Sequence, residues 1–314
     1  MDSEKIPLLC VVGPTASGKT WLAVELAKAF DGEVVSADSM QVYKTLSIGT
    51  AKPSPEEMQG VPHHLLDFLP IEETFSVAQF LELARGCIRE IARRGKLPIL
   101  AGGTGLYISS LIDHVNLSPI ESDPALRAAL EEAYDRDGGA ALMAELAQAD
   151  PESAAKIHPN NRGRVVRAVE VCRLTGVPIS AHQRRSREQP SPYRLCMIGL
   201  RAEDRAFLYD RINRRVDAMM AQGLLEEARA LWQAPLSQTA AQAIGYKELF
   251  AFFRGECTLE QAVEQLKQDT RRYAKRQLTW FGREERIHWL AIDQLEKWKL
   301  LEISKKIVAQ SGNL

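Results

Sequence analysis

Eight residues near the start of the chain have the spacing of a phosphate-binding loop. The pattern G-x-x-x-x-G-K-[ST] is matched at every fixed position by Gly13, Pro14, Thr15, Ala16, Ser17, Gly18, Lys19 and Thr20. Glycines let backbone N–H groups turn toward an anion, and the lysine adds a positive charge. The hydroxyl of Thr20 is an oxygen ligand of the kind that Mg²⁺ accepts. The loop therefore predicts binding of a phosphate compound, but it does not identify the compound or the group transferred.

The residues around this loop predict the elements that would position it. An apolar run at 7–12 precedes the loop and a helical periodicity at 21–30 follows it, so the loop joins a strand to a helix. A second strand, 32–37, ends at Asp38, and a third, 97–101, runs into a glycine-rich turn that contains Thr104. Ligands of open α/β sheets gather at the carboxyl ends of strands, which makes Asp38 and Thr104 candidate site residues.

The sequence leaves more than one role open for these strand ends. Asp38 suits a general base or a magnesium ligand, and equally a helix N-cap. The turn at 102–105 is also compatible with a plain connection between strand and helix. The third strand has no aspartate at its end. The usual second acidic residue of an NTPase is thus missing there, which counts against an ordinary ATPase.

The pattern of elements predicts an α/β fold with two parts. A P-loop NTPase-like core, with a parallel sheet flanked by helices, is expected from residues 1–112 and 196–314. Between them, glycine turns give way to helices that begin at Asp-Pro pairs, at Asp123 and Asp150. We therefore expect a helical insertion domain at 113–195.

Composition excludes several classes of protein. The chain has 314 residues, of which 45% are hydrophobic and 26% charged, as in an ordinary globular protein. No apolar stretch approaches the roughly 20 residues that span a bilayer, so we expect no membrane partner and a cytoplasmic location. The five cysteines are isolated, which indicates neither a disulfide framework nor a zinc site. The pair His63-His64 lacks further ligands at metal spacing, which favours a structural role.

Positive charge is concentrated in two regions of a chain whose net charge is −1. Residues 156–215 carry a net charge of +9 and residues 267–288 a net charge of +4, a distribution that suits a polyanion. Solvated helical faces would give the same pattern. The first region includes Arg164 with Arg167 on one helical face, then Arg184, Arg185 and Arg187. In the second, basic and aromatic residues alternate from 271 to 281, which fits either RNA binding or core packing.

Taken in order, the motifs resemble those of the bacterial tRNA dimethylallyltransferases, also called tRNA isopentenyltransferases, of the IPP transferase family. The segments that carry the resemblance are 13–20, 38–43, 48–53, 62–67, 102–107, 157–160, 243–247 and 275–280. One position departs from the family pattern, because Asn161 stands where an aspartate is common. That departure puts the start of the local helix in question.

The resemblance implies a magnesium-dependent transfer of the dimethylallyl group from dimethylallyl diphosphate to N6 of the adenosine at tRNA position 37, releasing diphosphate. It implies Asp38, Thr104 and Arg215 as catalytic residues and Thr20 with Asp38 as Mg²⁺ ligands. The loop at 13–20 and Arg211 would bind the diphosphate. The pair Arg211 and Arg215, one helical turn apart, suits such a clamp, although solvated ion pairing is as common for such pairs. We expect a monomer.

The resemblance also implies that the insertion domain grips the anticodon stem. RNA contacts are expected at Asp38, Ser39, Met40, Gln41, Thr104, Arg127, Gly163, Arg164, Val165, Val166, Arg167, Gln242, Ala243, Ile244, Gly245, Tyr246, Lys247, Lys275, Arg276, Gln277, Leu278, Thr279, Trp280, Phe281 and Gly282.

Two other functions fit parts of the sequence. A P-loop small-molecule kinase would bind ATP at the loop and use the segment 184–187 as a lid. An RNA-binding module whose nucleotide only regulates affinity would bind tRNA without changing it covalently.

Overall fold

The chain folds into two compact units. A computed structural model describes residues 5–116, 123–186 and 189–311. Met1–Ile112 and Pro192–Leu314 form one unit, which we call the core unit, and Asp113–Ser191 form the other, the insertion unit.

The core unit is built on a sheet of six parallel strands. These are β1 (Ile6–Val12), β2 (Gly32–Ala37), β3 (His63–His64), β4 (Leu97–Gly102), β5 (Tyr193–Arg201) and β6 (Ile287–Ala291). Their order across the sheet is β3-β2-β4-β1-β5-β6. The apolar run of β1 lies at the centre, where Leu9 pairs with Ile99 of β4 and Cys196 of β5. The predicted α/β class with a parallel sheet is confirmed.

Helices of the core unit surround this sheet. They are α1 (Lys19–Ala29), α2 (Pro55–Met58), α3 (Val77–Arg93), α4 (Gly105–Ile112), α10 (Arg205–Ala221), α11 (Leu224–Trp232), α12 (Lys247–Phe253), α13 (Leu259–Phe281) and α14 (Lys297–Gln310), with a short 3₁₀ turn at Ala240–Gln242. Helix α3 begins at a capping box formed by Ser76 and Gln79, and α13 begins at another formed by Thr258 and Gln261. Apolar residues of α1 and α14 share one buried cluster with the strands. No described helix meets the length and hydrophobicity that a membrane span requires.

The insertion unit contains five helices and no strand among its described residues. Its helices are α5 (Pro124–Asp137), α6 (Ala140–Ala149), α7 (Pro151–Lys156), α8 (Arg162–Thr175) and α9 (Ile179–Arg185). The predicted aspartate caps are present, since Asp123 accepts hydrogen bonds at the start of α5 and Asp150 does so at the start of α7. Asn161 caps α8 by accepting a bond from the Arg164 N–H at 3.3 Å, so the departure from the family pattern leaves this helix start intact.

The end of the insertion differs from the expected boundary at 195. Residues 192–195 lie in the core unit, because Tyr193 pairs with Ile6 and Leu195 pairs with Leu8 of β1. The strand begins before its apolar run does, since Arg194 interrupts the pattern. The predicted lid residue Arg187 lies outside the described residues.

Candidate active site

The phosphate-binding loop joins β1 to α1 and has the backbone shape that its glycines permit. Gly13 and Gly18 have φ angles of 141° and 95°, which favour glycine. A Cβ on Gly13 would lie 2.4 Å from the carbonyl oxygen of Leu200, so glycine is also required by the close approach of β5. Helix α1 begins at Lys19, and its N-terminal dipole faces the loop. The predicted strand, loop and helix are confirmed.

Lys19 lies in a site that disfavours its charge when no anion is bound. Its Nζ donates to the carbonyl oxygen of Pro14 at 2.6 Å. Burial, followed by the nearby positive charge of Arg215, lowers the pKa of Lys19 to about 7, and the negative charge of Asp38 opposes this shift only in part. An anion placed at the loop would favour the ammonium form, so Lys19 is prepared for a phosphate ligand.

Three arginines of α10 lie beside the loop. Arg211 Nε donates to the carbonyl oxygen of Ala16 at 2.8 Å, which directs its guanidinium to the loop. Burial lowers the pKa of Arg215. Together with Arg214, these residues line a cavity of about 480 Å³ that also borders Lys19 and Lys297. So many cations around one cavity indicate a site for a multiply charged anion.

A second cavity, of about 350 Å³, opens beside the first. Lys19, Thr20, Ala51 and Arg215 line both cavities. The second cavity is further lined by Thr15, Asp38, Ser39, Met40, Gln41, Gly49, Thr50, Ala101, Gly102, Gly103, Ile212, Val216, Met219, Gln242, Ala243, Ile244, Lys247, Leu266, Thr270, Tyr273, Arg276 and Gln277. Part of the wall is apolar, with Ile212, Val216 and Met219 of α10 and Leu266 of α13, while the loop and strand ends supply polar groups. Such a mixture suits a ligand with a charged end and an apolar end.

Asp38 lies at the end of β2 and borders the second cavity. Its Oδ1 accepts hydrogen bonds from the N–H groups of Met40 at 2.9 Å and Gln41 at 3.3 Å. Among the described residues, Oδ2 has no hydrogen-bond partner. One oxygen therefore caps a turn, and the other is available to a ligand, so the capping role and a chemical role coexist.

Thr104 ties the ends of two strands together. Its Oγ1 accepts from the Ser39 N–H at 3.1 Å, and its own N–H donates to the carbonyl oxygen of Ala37 at 3.2 Å. Tyr273, on α13, lines the same cavity, and burial, followed by the negative charge of Asp38, raises its pKa. Tyr273 was not predicted as a site residue, although it lies in the basic and aromatic run at 271–281.

Gln277 connects α13 to both ligand-binding turns. Its Oε1 accepts from the Thr15 N–H at 2.8 Å, and its Nε2 donates to the carbonyl oxygen of Gly103 at 3.0 Å. A Cβ on Gly103 would lie 2.1 Å from Nε2, and a Cβ on Gly105 would lie 2.4 Å from the ring of Trp280. The glycines after β4 therefore allow α13 to approach closely.

Residues in the segments 242–247 and 275–282 of the core unit have three kinds of surroundings. Those that line the second cavity are Gln242, Ala243, Ile244, Lys247, Arg276 and Gln277. Exposed side chains away from it belong to Lys275, Thr279 and Trp280. Tyr246 and Phe281 are buried, so their side chains are not available to a partner. RNA contact at these positions stays a prediction.

Two of the arginines predicted to bind RNA, Arg127 and Arg167, lie beside a buried carboxylate in the insertion unit. Glu170 is fully buried, and its Oε2 lies 2.7 Å from Arg127 Nη2 and 2.6 Å from Arg167 Nη1. Val165 and Val166 belong to the buried core of this unit. Arg164 is exposed and, within the described part of the chain, forms no ion pair through its guanidinium. Arg164 is thus the residue of this group whose charge is available to a partner.

The residues present fit a magnesium ion that shares its coordination with a ligand. Thr20 and Asp38 border the same cavity as Lys19, and Oδ2 of Asp38 is available. No group of three or more His, Cys, Asp or Glu side chains converges as a metal site among the described residues. A protein contribution of one or two oxygens, completed by phosphate and water, is the usual arrangement for Mg²⁺.

Comparison with known proteins identifies the family. The family model described as IPP transferase matches residues 41–284. The chain belongs to the IPP transferase family. It is 50% identical over 311 residues to a tRNA dimethylallyltransferase of Geobacillus thermodenitrificans, with 98% of each chain covered. It is 49% identical over 290 residues to that of Bacillus subtilis, with 92% of each covered.

Solved structures of this family share the fold. The tRNA isopentenylpyrophosphate transferase of Bacillus halodurans matches with a TM-score of 0.74 at 46% identity, covering 98% of this chain and 97% of that one. A eukaryotic dimethylallyltransferase acting on tRNA matches with a TM-score of 0.81 at 29% identity, covering 96% of this chain and 77% of that one. The family resemblance stated from the motifs is confirmed.

Proposed function

We propose that this protein transfers the dimethylallyl group of dimethylallyl diphosphate to N6 of the adenosine at tRNA position 37. The observation that carries the proposal is the junction of two cavities at Lys19, Thr20 and Arg215, one strongly basic and one partly apolar with Asp38 on its wall. A diphosphate suits the first, and an isoprenoid chain beside a base suits the second. The family membership and the names of the relatives favour this reaction over a small-molecule kinase.

In the reaction, a bond forms between N6 and the allylic carbon while the bond from that carbon to the diphosphate oxygen breaks. The carboxylate of Asp38 accepts the proton that N6 loses, as a general base. Lys19, Arg211 and Arg215 stabilise the charge that develops on the departing diphosphate. The hydroxyl of Thr104 accepts a hydrogen bond from the Ser39 N–H. It thereby orients the end of β2 beside Asp38, the general base.

The reaction is proposed to depend on magnesium. Thr20 and Asp38 are the residues that would hold the ion, together with phosphate oxygens and water. The bound ion would neutralise part of the charge of the diphosphate. The loop would in this way bind a diphosphate leaving group at the position where related loops bind ATP phosphates.

The tRNA is proposed to present its adenosine unstacked. An exocyclic amine stacked inside the anticodon loop is not accessible to a carboxylate on the wall of a cavity, so the adenine would flip into the second cavity. Residues 39–41, 242–247 and 275–282 would approach the loop, and Arg127 and residues 163–167 the stem. The protein is proposed to act in the cytoplasm as a monomer.

Mass spectrometry tests the proposal directly. The purified protein is incubated with magnesium, dimethylallyl diphosphate and an unmodified anticodon stem-loop with adenosine next to the anticodon, and the RNA is weighed. We expect a gain of one dimethylallyl group on that adenosine, and no gain when the metal is chelated. Unchanged RNA with ATP hydrolysis in a parallel tube would favour the kinase, and tRNA binding without modification would favour a binding module.

A further inference from the structure

A loop that forms one wall of the second cavity is held by a carboxylate from outside the cavity. Gly49, Thr50 and Ala51 line the cavity. Behind them, the consecutive N–H groups of Ser47, Ile48 and Gly49 donate to the carboxylate of Glu227 on α11, at distances between 2.9 and 3.3 Å. Three N–H groups on one carboxylate form a charge-assisted cluster, which is stronger than neutral hydrogen bonds.

Tyr246 completes this arrangement. Its hydroxyl donates to Glu227 Oε1 at 2.6 Å and accepts from the Gly49 N–H at 3.2 Å. The tyrosine is 1% exposed. A Cβ on Gly49 would lie 2.6 Å from its ring, and Gly245, with a φ of 107°, lies against Gly49 as well. We call Glu227 and Tyr246 the loop clamp.

The clamped loop is hydrogen-bonded to Gln41, which in turn contacts Asp38, the proposed general base. Gln41 Nε2 donates to the carbonyl oxygens of Thr50 and Ala51, at 3.1 Å in each case. The backbone N–H of Gln41 donates in turn to Asp38 Oδ1 at 3.3 Å. Hydrogen bonds joined by short stretches of backbone therefore connect Glu227, through the loop and Gln41, to Asp38.

We propose that the loop clamp is a positioning device for Asp38, an inference that rests on the proposed dimethylallyl transfer. Glu227 touches neither cavity and has no direct part in the chemistry. Its negative charge holds three N–H groups in place, and the loop then fixes Gln41 and the orientation of the Asp38 carboxylate. The rate of proton transfer is sensitive to the orientation of the Asp38 carboxylate. The affinity for a diphosphate, which other residues bind, is not.

The test compares Glu227→Gln and Tyr246→Phe with the wild type. The amide keeps the shape of the carboxylate but turns an N–H₂ toward the N–H groups of the loop, and Phe keeps the ring that packs on Gly49. We expect each variant to lower kcat by about tenfold, the size expected for loss of a charged hydrogen bond, with KM for dimethylallyl diphosphate within about twofold. Glu226→Gln, the exposed neighbouring glutamate, is the matched control and should leave kcat unchanged.

A double-mutant cycle separates a positioning role of the loop clamp from a general structural effect of its loss. In an Asp38→Asn background, measured in single turnovers, Glu227→Gln should cause no further loss of rate, because the group that it orients is already gone. An equal further loss in that background would overturn the proposal, as would a wild-type kcat in both clamp variants. Should Glu227→Gln fail to fold, the same cycle with Tyr246→Phe decides. A wild-type protein without dimethylallyl transfer would instead refute the proposed function, so the two failures are distinguishable.

Discussion

A Gln277→Met substitution removes both hydrogen bonds by which α13 holds the phosphate-binding loop and the turn after β4. Methionine has a similar length and no donor or acceptor of comparable strength, so it fills the space without replacing the bonds. Gln277 is 6% exposed, and water therefore does not take the place of the lost amide. The Thr15 N–H and the Gly103 carbonyl oxygen are left without these partners.

The size of the effect follows from these two contacts. Each hydrogen bond contributes about 1 kcal/mol net to stability, and a buried group left without its partner costs about 1–3 kcal/mol. The added apolar contacts of the methionine offset part of this loss. We therefore expect the free energy of unfolding of the core unit to fall by about 2–4 kcal/mol, with weaker binding of inorganic diphosphate because the Thr15 N–H is no longer oriented.

Urea unfolding followed by tryptophan fluorescence measures the stability, and calorimetric titration with diphosphate measures the affinity. Gln268→Met is the matched control, since Gln268 is exposed on the same helix and its replacement should change stability by less than about 0.5 kcal/mol. A loss for Gln277→Met no larger than that of the control would refute the reasoning that this amide braces both turns.

Other predictions concern charge. Because the pKa of Lys19 is lowered to about 7 in the free protein and an anion favours its ammonium form, binding of diphosphate above pH 7 should take up a proton. Affinity should then decrease as pH rises, and titrations in buffers of different ionisation enthalpy should show this uptake for wild type but not for Lys19→Met. Asp38→Asn should lower kcat by about 100-fold or more with the stem-loop Kd within about twofold, and equal losses in both would assign Asp38 to binding. Arg164→Gln should reduce the slope of log Kd against log salt by about one, as measured by fluorescence anisotropy, whereas Arg136→Gln should leave it unchanged.

Site residues could be predicted from the sequence where they directly follow a strand whose apolar run is visible in the sequence. The fixed spacing of the loop and the apolar strands before Asp38 and Thr104 were sufficient to locate these residues at one edge of a parallel sheet. That strand ends meet at one ligand-binding edge follows from the geometry of α/β folds, whereas the strand order and the register were not predicted from the sequence.

Contacts between residues far apart in the chain could not be predicted from these patterns. Gln277 reaches Thr15 across 262 positions, and its two bonds depend on how α13 packs, which no local pattern encodes. Likewise, counting charges could not reveal that Arg127 and Arg167 face the buried Glu170. The glycines at 103 and 105 were the one sign in the sequence that a helix packs closely against the turn after β4. A tight turn alone would explain these glycines equally well.

The division of the core unit into two chain segments has a consequence for folding during synthesis. Central strand β1 needs β5 as a neighbour, and β5 follows the whole insertion unit. The insertion unit, made from one continuous stretch, is complete before either β5 or α13 leaves the ribosome. At about 5–20 residues per second, the phosphate-binding loop waits on the order of 10–50 s for the helix that carries Gln277. Phosphate binding is thus expected to be among the last properties that the nascent chain acquires.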